Sequence, residues 1–248
     1  MRFFNTPLVL QTRFARPLAL LCLSASCLFF TCSKTKKDVE GNEDTGPYVW
    51  ITNPGQTALL WKTSAKTLTT PNDNLQSIKI DSAQRFQTID GFGYTLTGGS
   101  ATLIHQLAPA QRTALLKELF GKDSNSIGVS YLRVSIGASD LSASVFTYDD
   151  RPAGQPDPQL QYFNLSKDTV DLIPLLKEIL LINPNIKIMG SPWTPPVWMK
   201  SNGQSVGGSL LPQYYSVYAQ YFVRYIQAMK LNGIPIDAVT LQNEPQHG

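Results

Sequence analysis

The feature that most constrains this chain is its alternation of strand and helix patterns from Gln87 onward. A strand-like stretch over residues 88–93 precedes a helical region in which Pro109 suits an early position and Leu115, Leu116, Leu119 and Phe120 share a face, with Gly121 as its end. Tyr131–Ile136 reads as a second strand, and a loop rich in Asp, Pro and Gly follows to about Asn164. Val170, Ile173, Leu176 and Leu180 predict a second helix, with Asp168 as its cap and Pro184 beyond its end. Residues 186–190 form a third predicted strand. A long helix carrying Tyr218, Tyr221, Phe222, Tyr225 and Met229 at helical spacing stops at Asn232-Gly233, before a fourth strand over 238–241. This βαβαβαβ order calls for a parallel sheet, because each return to a parallel strand needs a right-handed crossover. A doubly wound α/β sheet and a (β/α)8 barrel both satisfy it. The barrel is favoured because polar and aromatic residues gather after each strand's C-terminal end. No glycine-rich phosphate loop follows the first strand, which weighs against nucleotide binding.

The segment before Gln87 has a different grammar. Arg13 and Arg16 precede an apolar run that reaches Phe30, as a basic n-region precedes an h-region. Cys32 directly follows it, which resembles a bacterial lipoprotein processing site with Cys32 as the lipidated residue and the membrane as partner. An ordinary signal peptide cut nearby is the alternative, and a basic transit peptide a third. Residues 1–32 are therefore expected to direct export, and residues 33–47, rich in Lys, Asp, Glu and Gly, to form a tether. Short alternating stretches separated by turn residues across 48–86 predict a small β element beside the main domain, which spans 87–248.

Charge and cysteine usage exclude some functions. Six basic residues and no acidic ones lie before Asp38, which leaves 15 basic against 18 acidic residues in the remainder. That mildly acidic balance makes nucleic acid an unsuitable partner. All three cysteines fall in the first 32 residues, so a disulfide within the folded part is excluded. Two isolated histidines, His105 and His247, make neither a metal site nor a Ser-His-Asp triad, and no cofactor is expected.

The residues suited to chemistry stand at predicted strand ends. Glu244 follows the fourth strand in Asn243-Glu244-Pro245, where Pro245 limits further pairing. A glycosidic oxygen needs a proton to leave, and a carboxylic acid can deliver one and then activate water. On that tripeptide alone a solvated loop glutamate would be the better reading; its position after the fourth strand favours the general acid/base. Asn243 can bond a sugar hydroxyl. Trp193 and Trp198 lie on a proline-stiffened loop after the third strand, and indole faces stack on sugar rings. Trp193 is assigned to the site; Trp198 stands evenly between site and core. Asp140, after the second strand, can accept sugar hydroxyls or form an Asx turn. Arg133, inside the second strand, is expected to point into the barrel or at a carboxylate; a buried Arg needs a partner, for which an active-site carboxylate is a reasonable expectation. His247 is placed to line the same cleft.

Four motifs in this order resemble glycoside hydrolase family 30, which includes glucosylceramidases and β-1,6-glucanases. They are Ile89-Asp90-Gly91-Phe92-Gly93, Leu132–Gly137 through Asp140, Ser191-Pro192-Trp193 through Asn202, and Gln242-Asn243-Glu244-Pro245. The stretch Phe146–Asp150 also resembles the family's loop after strand two. The resemblance implies a (β/α)8 barrel with a side β-domain, retaining hydrolysis of β-glucosides, Glu244 as acid/base, and Asn243, Trp193 and Asp140 around the sugar. Glucosylceramidases tend to carry an aspartate near Gly98; its absence looks more like the branch that includes β-1,6-glucan hydrolases. Retention takes two carboxylates about 5 Å apart, and the family's nucleophile lies on a later strand. The chain therefore reads as the first half of a barrel, inactive by itself. A non-catalytic glycan-binding lipoprotein is the alternative from another class, and a barrel glycosidase for xylan or galactan is a third reading.

Overall fold

The computed structural model describes residues 48–64 and 78–246. Cys32 and His247 lie outside the described residues, as do the expected leader and tether.

The chain divides into two units, residues 1–69 and 70–248. In the first, β1 (Tyr48–Ile51) pairs antiparallel with β2 (Trp61–Ser64), Tyr48 opposite Ser64 and Ile51 opposite Trp61. The strand grammar read over 48–64 is thus a hairpin. Residues 78–86 carry no strand.

In the second unit a four-stranded parallel sheet runs β3 (Gly93–Leu96), β4 (Tyr131–Ile136), β5 (Lys187–Pro192), β6 (Ala238–Val239) in that spatial order. Its helices are α1 (Gly98–His105), α2 (Pro109–Phe120), α3 (Leu172–Ile182) and α4 (Tyr215–Leu231). The α/β class and the parallel connection expected from the sequence are both present. Alternate residues of β4 sink into the core at Leu132, Val134 and Ile136, against Leu175, Leu176 and Ile179 of α3 and Tyr221, Tyr225 and Met229 of α4. Each such side chain contributes about 1.5–3 kcal/mol on leaving water, so this layer fixes where the strand ends point.

The element boundaries moved in three places. The first strand begins at Gly93 rather than Thr88, and Ile89 and Phe92 are exposed. A Cβ on Gly93 would stand 1.5 Å from the Tyr131 carbonyl oxygen, so the chain can enter the sheet only at a glycine. Asp168 does not cap α3. The helix starts at Leu172, which puts Pro174 in its first turn where no N–H is needed, and the Asp168 carboxylate instead accepts the Tyr148 hydroxyl. The fourth strand is two residues long and Leu241 is 80% exposed. It has one neighbour in this sheet, and ladder pairing ends at Gly190. The stop of α4 is as expected. Gly233 has φ +80°, its N–H bonds the Lys230 carbonyl, and the Ile234 N–H reaches back to Met229, a Schellman motif.

Candidate active site

Three strand ends build one rim. After β4 the chain turns at Gly137 (φ +83°), whose missing side chain admits the Phe146 carbonyl. The Ala138 N–H bonds that carbonyl, and Ser142 Oγ takes the Ser139 N–H, which shapes the turn that presents Asp140. Gly99, in the first turn of α1, sits so close to this turn that a Cβ would meet the Leu141 carbonyl oxygen at 2.2 Å. Gly99 therefore serves packing around Asp140, whereas a Cβ on Gly98 would meet only Ser142 Oγ at an ordinary 3.5 Å.

After β5 the loop carrying both tryptophans splits their roles. Trp193 lines an open cavity of about 1130 Å³. Trp198 turns away from it. Its indole N–H donates to the Asp149 carbonyl at 2.9 Å, and its ring meets Tyr214 edge-on at 5.1 Å against the core. The even weighting of Trp198 thus resolves toward packing. Beyond it the loop folds back through a bridge between Lys200 and Leu210, and Gly203, Gly207 and Gly208 all hold positive φ. Lys200 anchors this return. Its ammonium donates to the Ser205 carbonyl at 2.9 Å and to Thr194 Oγ1 at 3.3 Å, and burial pushes its pKa down.

After β6 the backbone stays tied to β5. Thr240 N–H bonds the Gly190 carbonyl and Asn243 N–H the Pro192 carbonyl, each at 2.9 Å. Asn243, Glu244 and Pro245 line the same cavity as Trp193 and Asp140. Glu244 has φ +46°. A non-glycine residue in that region costs about 1–2 kcal/mol, strain of the kind held at functional sites. Pro245 alone would lead one to expect an extended Glu244.

Among the described residues Arg133 does not reach a carboxylate. Its guanidinium donates to Asn243 Oδ1 at 2.7 Å and Ser191 Oγ at 2.9 Å, with Thr95 Oγ1 at 3.5 Å. Ser191 Oγ in turn accepts the Thr240 hydroxyl at 2.7 Å. The expected partner was wrong because the side chain runs across the sheet among neutral oxygens of neighbouring strands. The consequence is useful: with Oδ1 held by a cation, the Asn243 amide is oriented with its NH2 group unspent.

Sequence reasoning missed two things here. Gln242 was read only as part of a motif, yet its amide donates to the Trp193 carbonyl at 2.7 Å and the Asn243 carbonyl at 3.0 Å. Behind Trp198, Asp149 is 1% exposed and neither carboxylate oxygen has a hydrogen-bond partner among the described residues. Burial, then the neighbouring Asp157, raise its pKa to about 7, against the opposing Arg151.

A parallel β/α sheet that gathers an indole, an amide and two carboxylates beyond its strand ends is an α/β protein of the kind that carries its ligand site there. The chain belongs to glycosyl hydrolase family 30: a family profile described as the glycosyl hydrolase family 30 TIM-barrel domain matches residues 89–248. It is 43% identical over 166 residues to an endo-1,6-beta-D-glucanase of Neurospora crassa, covering 65% of this chain and 34% of that protein. It is 36% identical to the mouse lysosomal acid glucosylceramidase over 66% of this chain and 32% of the other. Among solved structures an endo-beta1,6-glucanase superposes with a TM-score of 0.66 at 38% identity, over 80% of this chain and 43% of that one. The chain thus spans about a third of the length of these curated relatives.

Proposed function

We propose that this chain supplies the acid/base half of a retaining β-glycoside hydrolase, with Glu244 as the proton donor. The supporting observation is that Asp140, Trp193, Asn243 and Glu244, chosen at three predicted strand ends, line one cavity. Trp193 offers its ring face to the sugar. Asn243, oriented by Arg133, and Asp140 bond sugar hydroxyls. Glu244 protonates the glycosidic oxygen as a carboxylate nucleophile takes the anomeric carbon, and then removes a proton from the water that releases the sugar. The parallel strands β3–β6 are read as the first four of a (β/α)8 barrel, and 48–86 as part of a side β-domain. The nucleophile belongs to a later strand, so residues 1–248 alone are expected to be inactive.

The preferred substrate is a β-linked glucan, β-1,6-linked in the first instance. The endo-1,6-glucanase relatives and the glycines at Gly98-Gly99 support this over a glucosylceramide. Export, with attachment to the cell envelope through lipidated Cys32, follows from the basic and apolar leader pattern. Mass spectrometry of the mature N-terminus tests it; an unmodified start beyond Cys32 removes the anchor.

The decisive test of the chemistry is Glu244→Gln in the intact protein. Loss of general acid catalysis lowers kcat/KM on a β-1,6-glucan about 1000-fold. A dinitrophenyl β-glucoside, whose leaving group departs without a proton, loses far less. Unchanged turnover of the glucan would take Glu244 out of catalysis; no turnover by the unaltered intact protein would leave the glycan-binding reading.

A further inference from the structure

We infer that Gln242 is the positioning residue that sets the separation between the stacking face of Trp193 and the acid/base arm, a role that rests on the proposed function. The arm after β6 has few other supports. Strand pairing stops at Val239, opposite Gly190, and Leu241 projects into solvent. Thr240 still bonds Gly190 and Ser191; beyond it the Asn243 N–H to Pro192 bond and the Arg133 to Asn243 bond hold the backbone and the amide of Asn243. Neither touches Trp193. Gln242 does. One amide nitrogen spends both hydrogens on main-chain carbonyls, Trp193 on the loop after β5 and Asn243 on the arm itself. Both acceptors belong to residues that face the cavity, and Gln242 lines it too.

The chemistry of the position calls for a double donor. Two carbonyl oxygens converge on one group, so that group must be a double donor, which a glutamine side chain supplies and a glutamate side chain does not. In Gln242→Glu an ionised carboxylate would stand against both carbonyls and drive the loop from the arm. Once protonated, the new carboxyl regains one donor. Displacement of a reacting group by about 1 Å costs on the order of 100-fold in rate, so the effect falls on kcat more than on substrate capture.

The experiment compares Gln242→Glu and Gln242→Met with the unaltered intact protein and with Glu244→Gln, on a β-1,6-glucan across pH. Gln242→Glu is expected to lose about 30-fold in kcat at neutral pH, two hydrogen bonds of ordinary strength, with KM changed less than about threefold. Its deficit narrows as pH falls toward the carboxyl range near 4. Gln242→Met loses a similar factor at every pH. An unfolding midpoint that stays well above the assay temperature in every variant, lowered only as far as two lost hydrogen bonds imply, separates the effect from folding. Where Gln242→Glu does not fold, Gln242→Met carries the test. A kcat within threefold of the unaltered protein in either folded variant overturns the inference, as does a deficit in Gln242→Glu that ignores pH. If Glu244→Gln is itself without effect, the proposed function fails first; if it is inactive while the Gln242 variants are not, only the positioning role fails.

Discussion

Trp193 and Trp198 stand five residues apart on one loop and face opposite sides of it. Trp193 lines the cavity. Trp198 has its indole N–H on the Asp149 carbonyl and its ring on Tyr214. The same division separates the carboxylates on either side of the loop. Glu244 and Asp140 are exposed at the rim, whereas the Asp149 carboxylate is enclosed without a hydrogen-bond partner among the described residues. Residue type does not distinguish the two tryptophans, nor the two aspartates Asp140 and Asp149. What distinguishes them is where the polar tip is satisfied: by solvent or ligand at the rim, or by the protein behind it. The two regions should accordingly fail in different ways, stability behind the loop and sugar handling in front of it.

Asp149 gives the largest expected effect on stability. Its carboxyl holds a pKa of about 7 in the folded chain against 3.8 for an ordinary aspartate, mainly through burial. Below pH 3.8 both folded and unfolded forms keep the proton and no penalty arises. Between 3.8 and 7 the unfolded chain ionises and the folded chain does not, so stability falls as pH rises and levels off above 7. A shift of this size corresponds to at most about 4 kcal/mol. Asp149→Asn removes the titrating group. Denaturation at about pH 4 and about pH 8, on either side of that window, should show the variant gaining on the unaltered protein as pH rises. A gap independent of pH would place the Asp149 charge in contact with water or a cation.

Trp198→Ala comes next. Deleting a half-buried indole packed on Tyr214 and the core should cost about 3 kcal/mol of stability, read as a lower denaturation midpoint. The sugar affinity of whatever remains folded should change little. A variant of normal stability with weakened glycan binding would return Trp198 to the site and break the comparison.

The sheet was legible because it rests on periodicity. β4 falls on its predicted residues, and α4 ends at Asn232-Gly233 through local backbone bonds that the dipeptide itself specifies. The first strand was misplaced because the β-branched and aromatic residues of Thr88–Phe92 look strand-like, whereas entry into the sheet depends on a carbonyl from Tyr131, 38 residues away, that only Gly93 can admit. In the site, the side chains gathered at strand ends were legible by type and position. Their partners were not. Arg133 on Asn243, Gln242 on Trp193 and Trp198 on Asp149 are contacts across 110, 49 and 49 residues, and no local pattern encodes which oxygen a donor meets. Hence an expected Arg133–carboxylate pair became a pair with an amide, and an even weighting of Trp198 became packing.

The smallest expected effect, on Trp193, sharpens the comparison most. Its ring is half-buried, stands outside the hydrophobic core, and its indole N–H has no partner among the described residues. Truncating it removes little packing, so Trp193→Ala should unfold within about 0.5 kcal/mol of the unaltered protein, as for substitutions away from the core. A sugar would lose a stacking face, which for aromatic contacts amounts to about 0.5–1.5 kcal/mol, or up to roughly tenfold in affinity by the usual conversion. Titration of the folded variant with β-1,6-gluco-oligosaccharides measures that directly. Trp193→Phe keeps a flat apolar face and should recover most of the loss, and that recovery separates stacking from a hydrogen bond by the N–H. If Phe fails as Ala does, the indole nitrogen is the contact that matters. If neither changes affinity, the sugar binds elsewhere in the cavity, and the division of the loop into a packed side and a ligand side is wrong.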